Sequence, residues 1–168
     1  MNKWIAIIYL QMPVLILPHD ADSEPRLGYV SFGPMLHWNS RNDEIKFSYG
    51  FEIAFWSYAK DPEGPGFFNG VQPDINKFGY GIDLGIEYEH GDLRLYAEPQ
   101  LGRVFGGCSV GPLLEISKSA GTKSLGIQGS LWANLIGGVD LRYRHVAGKD
   151  IVAAGLNAKV GGLVLGRE

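Results

Sequence analysis

Residues Ile45 to Tyr58 read IKFSYGFEIAFWSY, and this stretch decides the fold. Ile45, Phe47, Tyr49, Phe51, Ile53 and Phe55 occupy one phase, and Lys46, Ser48, Gly50, Glu52 and Ala54 the other. Alternation at period two gives a β-strand with one apolar face and one polar or small face. The stretch is also long enough to cross a bilayer at a tilt, which takes ~9–11 residues.

The pattern recurs after Arg26 and predicts about eight strands. They are expected at Leu27–Trp38, Ile45–Tyr58, Lys77–Glu89, Leu93–Phe105, Cys108–Lys118, Leu125–Leu135, Val139–Val146 and Val152–Val164. The connections Glu89–Asp92, Gly106–Gly107, Lys118–Thr122, Gly137–Gly138 and Gly148–Asp150 are short and mostly rich in glycine, as hairpin turns are. Parallel strands would need crossovers of a dozen residues or more, and the spacing leaves no room for them. The expected fold is all-β: an antiparallel up-and-down meander closed into a barrel of about eight strands. The one long connection is Ala59–Ile75.

Composition narrows the class. The chain has 168 residues, one domain's length, and a net charge of -3, which offers nucleic acid no basic patch. Its 24 glycines are about twice the ordinary ~7% share. A single cysteine, Cys108, forms no internal disulfide and reads as a small residue packed near a turn. At the start, Lys3 precedes the apolar run Trp4–Leu17 and the polar stretch PHDADSEP, the layout of a secretory signal. Residues 1–21 are expected to be that signal and 22–168 the barrel domain.

Which face points outward sets the function class. The apolar phase carries no charge until the strand ends, where Arg103 and His145 appear. A charge on a lipid-facing strand costs ~2–4 kcal/mol at the bilayer midplane, so this face suits lipid. The polar phase holds Gly50, Gly79, Gly81, Gly85, Gly102, Gly111, Gly126, Gly138 and Gly155. Glycine packs nothing on a solvated strand, but in a narrow lumen it makes room for long neighbours. Trp38, Trp56, Tyr58, Tyr88 and Tyr143 fall near strand ends, where interfacial aromatic girdles sit.

The export signal, the antiparallel strands and the alternation resemble the small outer-membrane β-barrels of Gram-negative bacteria, of the outer membrane protein A transmembrane-domain kind. The resemblance covers about residues 27–165. It implies eight strands, a place in the outer membrane and outer-membrane lipid as the surrounding partner.

The same phase assignment predicts a charged lumen. Glu52, Asp83, Glu87, Glu98, Glu115 and Asp140 point inward against Lys46, Arg94, Arg142, Arg144 and Lys159, close to neutrality. Glu52, Asp83, Arg94, Glu98, Glu115, Arg142, Arg144 and Lys159 are therefore expected to form a structural ion-pair network that fills the barrel. A pore selecting one ion sign would show an excess of one charge. Phe67 and Phe68, in the loop Asp61–Asp74, are a possible recognition element. His19, His90 and His145 have no metal-ligand spacing, and no metal, cofactor or catalytic residue is expected. Two other readings stand. A soluble periplasmic lipocalin-like barrel would turn its apolar phase inward around an apolar ligand. An outer-membrane lipid hydrolase would use His37 and Ser40, in the stretch His37-Trp38-Asn39-Ser40.

Overall fold

The computed structural model describes residues 26–41, 44–61, 72–134 and 137–166; of Asp61 and residues 161–166 only the backbone is described. The long strands are β1 (Arg26–Arg41), β2 (Glu44–Asp61), β4 (Gly79–Glu89), β5 (Asp92–Arg103), β6 (Gly106–Ser117), β7 (Thr122–Asn134) and β8 (Gly138–Val146). The last long strand is interrupted into β9 (Lys149–Asn157) and β10 (Val160–Gly166). A two-residue strand, β3 (Gln72–Pro73), pairs with the end of β2.

All pairings are antiparallel and run between chain neighbours until the end, where β9 and β10 both return to β1. That return closes an eight-stranded barrel with no helices among its described residues. The expected meander is thus the observed one. Gly106 and Gly107 lie within β6, however, and the turn before it is Val104–Phe105. Glycine at those two positions serves packing: a Cβ on Gly107 would stand 2.7 Å from the Trp132 ring, and one on Gly106 2.9 Å from the Trp132 carbonyl oxygen.

Two of the turns need left-handed backbone. His90 and Gly91 have φ of 46° and 101°, and Ala147 and Gly148 of 54° and 71°. Two successive positive φ values match the right-handed twist of the flanking strands, which is why such turns join hairpins. These turns, with Lys118–Gly121 and the β1–β2 connection, mark one end of the barrel, here the turn end. Arg26, Val104–Phe105 and Gly166 mark the other, the terminal end.

The polarity is the reverse of a soluble barrel's. Phe32, Leu36, Phe47, Phe51, Phe55, Ile86, Leu101, Val110, Ile127, Leu141, Val152 and Leu156 all point outward and are exposed. The buried residues are largely polar or charged and fill the lumen. The lipocalin-like alternative requires the apolar phase inside and is corrected by this arrangement. Of the expected girdle, Trp38 and Tyr143 do face outward near the turn end, but Trp56 and Tyr58 are buried inside the lumen. Cys108 is exposed on the outer face of β6 rather than packed near a turn.

Candidate functional site

The lumen is the candidate site, and its polar layers follow from strand parity. Toward the turn end, Arg94 on β5 is fully buried. Its Nη1 donates to Glu87 and to Glu89, each at 2.9 Å, and its Nε to Glu115 at 2.9 Å. Arg144 on β8 crosses the lumen to Glu87 on β4, with 2.8 Å between Nη1 and Oε1, and also donates to Asn39 and Gln128. His37 on β1 stands between two carboxylates, with Nδ1 3.1 Å from Glu87 and Nε2 3.0 Å from Asp140.

One layer further toward the terminal end, Arg142 pairs with Asp140 on its own strand and with Glu52 on β2, and its guanidinium lies 5.0 Å from the Tyr96 ring centroid. Tyr96 in turn donates to Glu52. Lys159, at the interruption between β9 and β10, reaches Glu52 at 2.9 Å and Asp83 at 3.0 Å. A buried charge is tolerated when paired and hydrogen-bonded, and nearly every member of these two layers is.

The terminal end of the lumen is closed by aromatic rings. Trp56 stacks on Tyr58 with centroids 5.3 Å apart and meets Trp132 edge-on at 5.2 Å, with Tyr29 and Val104 packed against them. The inward glycines make these rings fit. A Cβ on Gly79 would stand 2.4 Å from the Tyr58 ring, one on Gly81 3.0 Å from Trp56, and one on Gly85 2.0 Å from Tyr96. The expectation that glycine makes room for long neighbours holds at these positions.

At the turn end the lumen widens into a polar mouth of about 420 Å³ lined by Arg41, Lys46 and Lys149, by Glu44, Asp92 and Glu115, and by several hydroxyls. Beside the Ala147–Gly148 turn, on the outer surface, Tyr143 donates to the Asp150 carboxylate at 2.6 Å and His145 Nδ1 lies 2.8 Å from it.

The structure brings Glu52, Asp83, Arg94, Glu115, Arg142, Arg144 and Lys159 together in these layers. Two placements differ. Lys46 sits at the mouth and pairs with Glu44 at 3.1 Å, outside the buried layers. Glu98 is fully buried but makes no ion pair among the described residues; its nearest partner is the Ser130 hydroxyl at 3.4 Å, and Oε1 has none. Sequence reasoning missed Glu89, His37 and Asn39 as lumen members, although each continues the inward phase of its strand; Gln128, on the polar side of its expected strand, does face the lumen. With Glu89 counted and Lys46 at the rim, seven buried carboxylates (Glu52, Asp83, Glu87, Glu89, Glu98, Glu115 and Asp140) face three arginines, Lys159 and His37. Among the described residues the lumen, expected to be near neutral, is therefore acid-rich. His37 and Ser40 lie on opposite faces of β1, buried and exposed respectively, so the pair expected for a hydrolase does not assemble. Phe67, Phe68 and the signal segment lie outside the described residues.

An eight-stranded closed barrel with an apolar exterior and buried polar and charged side chains inside defines the class: an outer-membrane-type β-barrel fold. No family model matches the chain, and no curated protein does. Among solved structures it is similar to a de novo designed transmembrane β-barrel, with 13% identity over 82% of this chain and 98% of that one and a TM-score of 0.46. It is also similar to Ail, the attachment invasion locus protein of Yersinia pestis, solved with the heparin analogue sucrose octasulfate, with 15% identity over 84% of this chain and 99% of that one and a TM-score of 0.35.

Proposed function

We propose that the protein spans a bacterial outer membrane as a barrel with a packed lumen. Its role is structural or surface-interacting rather than that of an open pore, and no catalysis is assigned to it. One observation carries the reading: the reversed polarity, with Phe51 46% and Leu141 50% exposed outside while Arg94, Glu87 and Arg144 are fully buried inside. Only a lipid surrounding gives that exterior a favourable environment, because a soluble chain rarely leaves so continuous an apolar surface in water. The ring cluster of Trp56, Tyr58 and Trp132, together with the ion-paired layers, supports a packed lumen over an open pore.

The test is reconstitution of the refolded chain into phosphatidylcholine vesicles and planar bilayers. The expected result is stable insertion, partition with membranes after carbonate washing, and no steady single-channel current. A folded, monodisperse protein in detergent-free buffer would overturn the membrane reading. Steady currents would overturn the packed lumen.

A further inference from the structure

The barrel wall is not equally bonded all the way round. The β5–β6 ladder runs from Asp92↔Ser117 to Tyr96↔Leu113 and resumes only at Gln100↔Ser109. Between them Ala97, Glu98 and Pro99 lie opposite Pro112, Gly111 and Val110 without ladder pairing. Pro99 and Pro112 have no N–H, so each removes a donor from this stretch. A second break faces it across the barrel, where the pairings of β1 pass from β9 to β10 and Gly33 and Pro34 meet Ala158 and Lys159. That second break is secured: Ala158 N–H donates to Pro34 O at 3.1 Å, and Lys159 reaches from it to Glu52 and Asp83.

The β5–β6 break has no such staple at its centre. Glu98 projects inward there, fully buried, with Oε1 unpartnered. Around it stand the Ser109 and Ser130 hydroxyls, bonded to each other, and Gln128, whose Nε2 is also unpartnered. The nearest ion pair across the same seam is Arg94 to Glu115, toward the turn end. In a bilayer, backbone polar groups left unpaired in the wall cost several kcal/mol each, so a break of this kind is the weakest line in the wall. Directly behind it lies the Glu98 carboxyl, with the Ser130 hydroxyl at 3.4 Å from Oε2, the Gln128 amide beside it and no cation paired to it among the described residues.

We propose that the wall opens laterally between β5 and β6 and gives molecules in the bilayer access to Glu98. The ligand class the site fits is an apolar molecule carrying a hydrogen-bond donor, such as an amine or hydroxyl head, because Glu98 supplies an unsatisfied acceptor and the route to it lies among Ala97, Pro99, Val110 and Pro112. The inference rests on the membrane reading above and adds a site to it.

The experiment uses dicyclohexylcarbodiimide, an apolar reagent that modifies carboxyl groups reachable from lipid, on the protein inserted in phosphatidylcholine vesicles, with labelled peptides mapped by mass spectrometry. The expected result is labelling of Glu98 in preference to the ion-paired Glu52 and Glu87. A disulfide across the seam, from Ala97→Cys with Pro112→Cys in a Cys108→Ser background, should suppress that labelling at least tenfold, and reduction should restore it. If the locked form does not fold, Pro99→Ala with Pro112→Ala is the second variant; restoring two donors to the seam should slow the labelling severalfold. An inserted protein whose Glu98 stays unlabelled, or is labelled equally with the seam locked, overturns the lateral site. Failure to insert at all overturns the membrane reading instead.

Discussion

Replacing Arg94 with alanine probes the lumen most directly. Arg94 is fully buried and holds Glu87, Glu89 and Glu115, each at 2.9 Å. Its removal does not orphan all three equally. Glu87 keeps Arg144 and His37, and Glu89 keeps the Asn39 amide, but Glu115 keeps no other cation among the described residues. Breaking a buried pair from one side costs ~3–5 kcal/mol, because the remaining charge is left uncompensated. Arg94→Ala is therefore expected to lose at least that much, most of it from Glu115. Adding Glu115→Gln and Glu89→Gln removes the orphaned charges and should recover the larger part. Lys149→Ala, at the exposed mouth, should change stability by no more than about 0.5 kcal/mol. The assay is equilibrium urea unfolding in phospholipid vesicles followed by tryptophan fluorescence, with the slope compared across variants. Equal stability for Arg94→Ala and Lys149→Ala, or no recovery in the triple variant, would refute the idea that these groups are desolvated and depend on one another.

Other expectations follow from the packing and the polarity. Gly85→Ala places a methyl group 2.0 Å from the Tyr96 ring and should cost ~1–3 kcal/mol, whereas Gly129→Ala, whose nearest neighbour is at 3.5 Å, should cost much less in the same titration. Trp132→Ala opens the terminal-end plug and should lose ~3–5 kcal/mol, with a matching fall in the thermal midpoint measured by circular dichroism. Phe51→Arg puts a charge on the outer face and should cost ~2–4 kcal/mol at midplane depth, read as a lower folded fraction in vesicles by heat-dependent gel mobility.

Strand parity was legible in the sequence, and depth in the lumen was not. Parity requires only alternation, so each expected strand overlaps an observed one and most inward charges were assigned to the right face. At Trp56 and Tyr58 parity and residue type point different ways. They continue the inward phase of Lys46, Ser48 and Glu52, yet aromatic residues near a strand end suggested a girdle. Glu89 opens the expected turn Glu89–Asp92, yet it follows Glu87 in the same phase and belongs to the strand. Which charges meet is a different matter. Arg142 on β8 finds Glu52 on β2 across the barrel, and that pairing depends on strand stagger, which period-two patterning does not encode. Glu98 has the same residue type and parity as Glu52 and still makes no ion pair among the described residues, because Arg142 is engaged by Glu52 and Asp140.

The strand order has a consequence for connectivity. Every barrel strand pairs with its chain neighbour except at the closing seam, where Leu27 stands opposite Gly166. The two ends of the barrel segment thus meet on one rim, separated by a single strand spacing. A short flexible linker from Gly166 to Arg26 would bridge them, and the chain could instead be cut at the exposed His90–Gly91 turn. The wall would then be threaded from β5 round to β4 with every neighbour kept. For such a ring the starting strand is a matter of genetic order, and the barrel is a natural host for circular permutation.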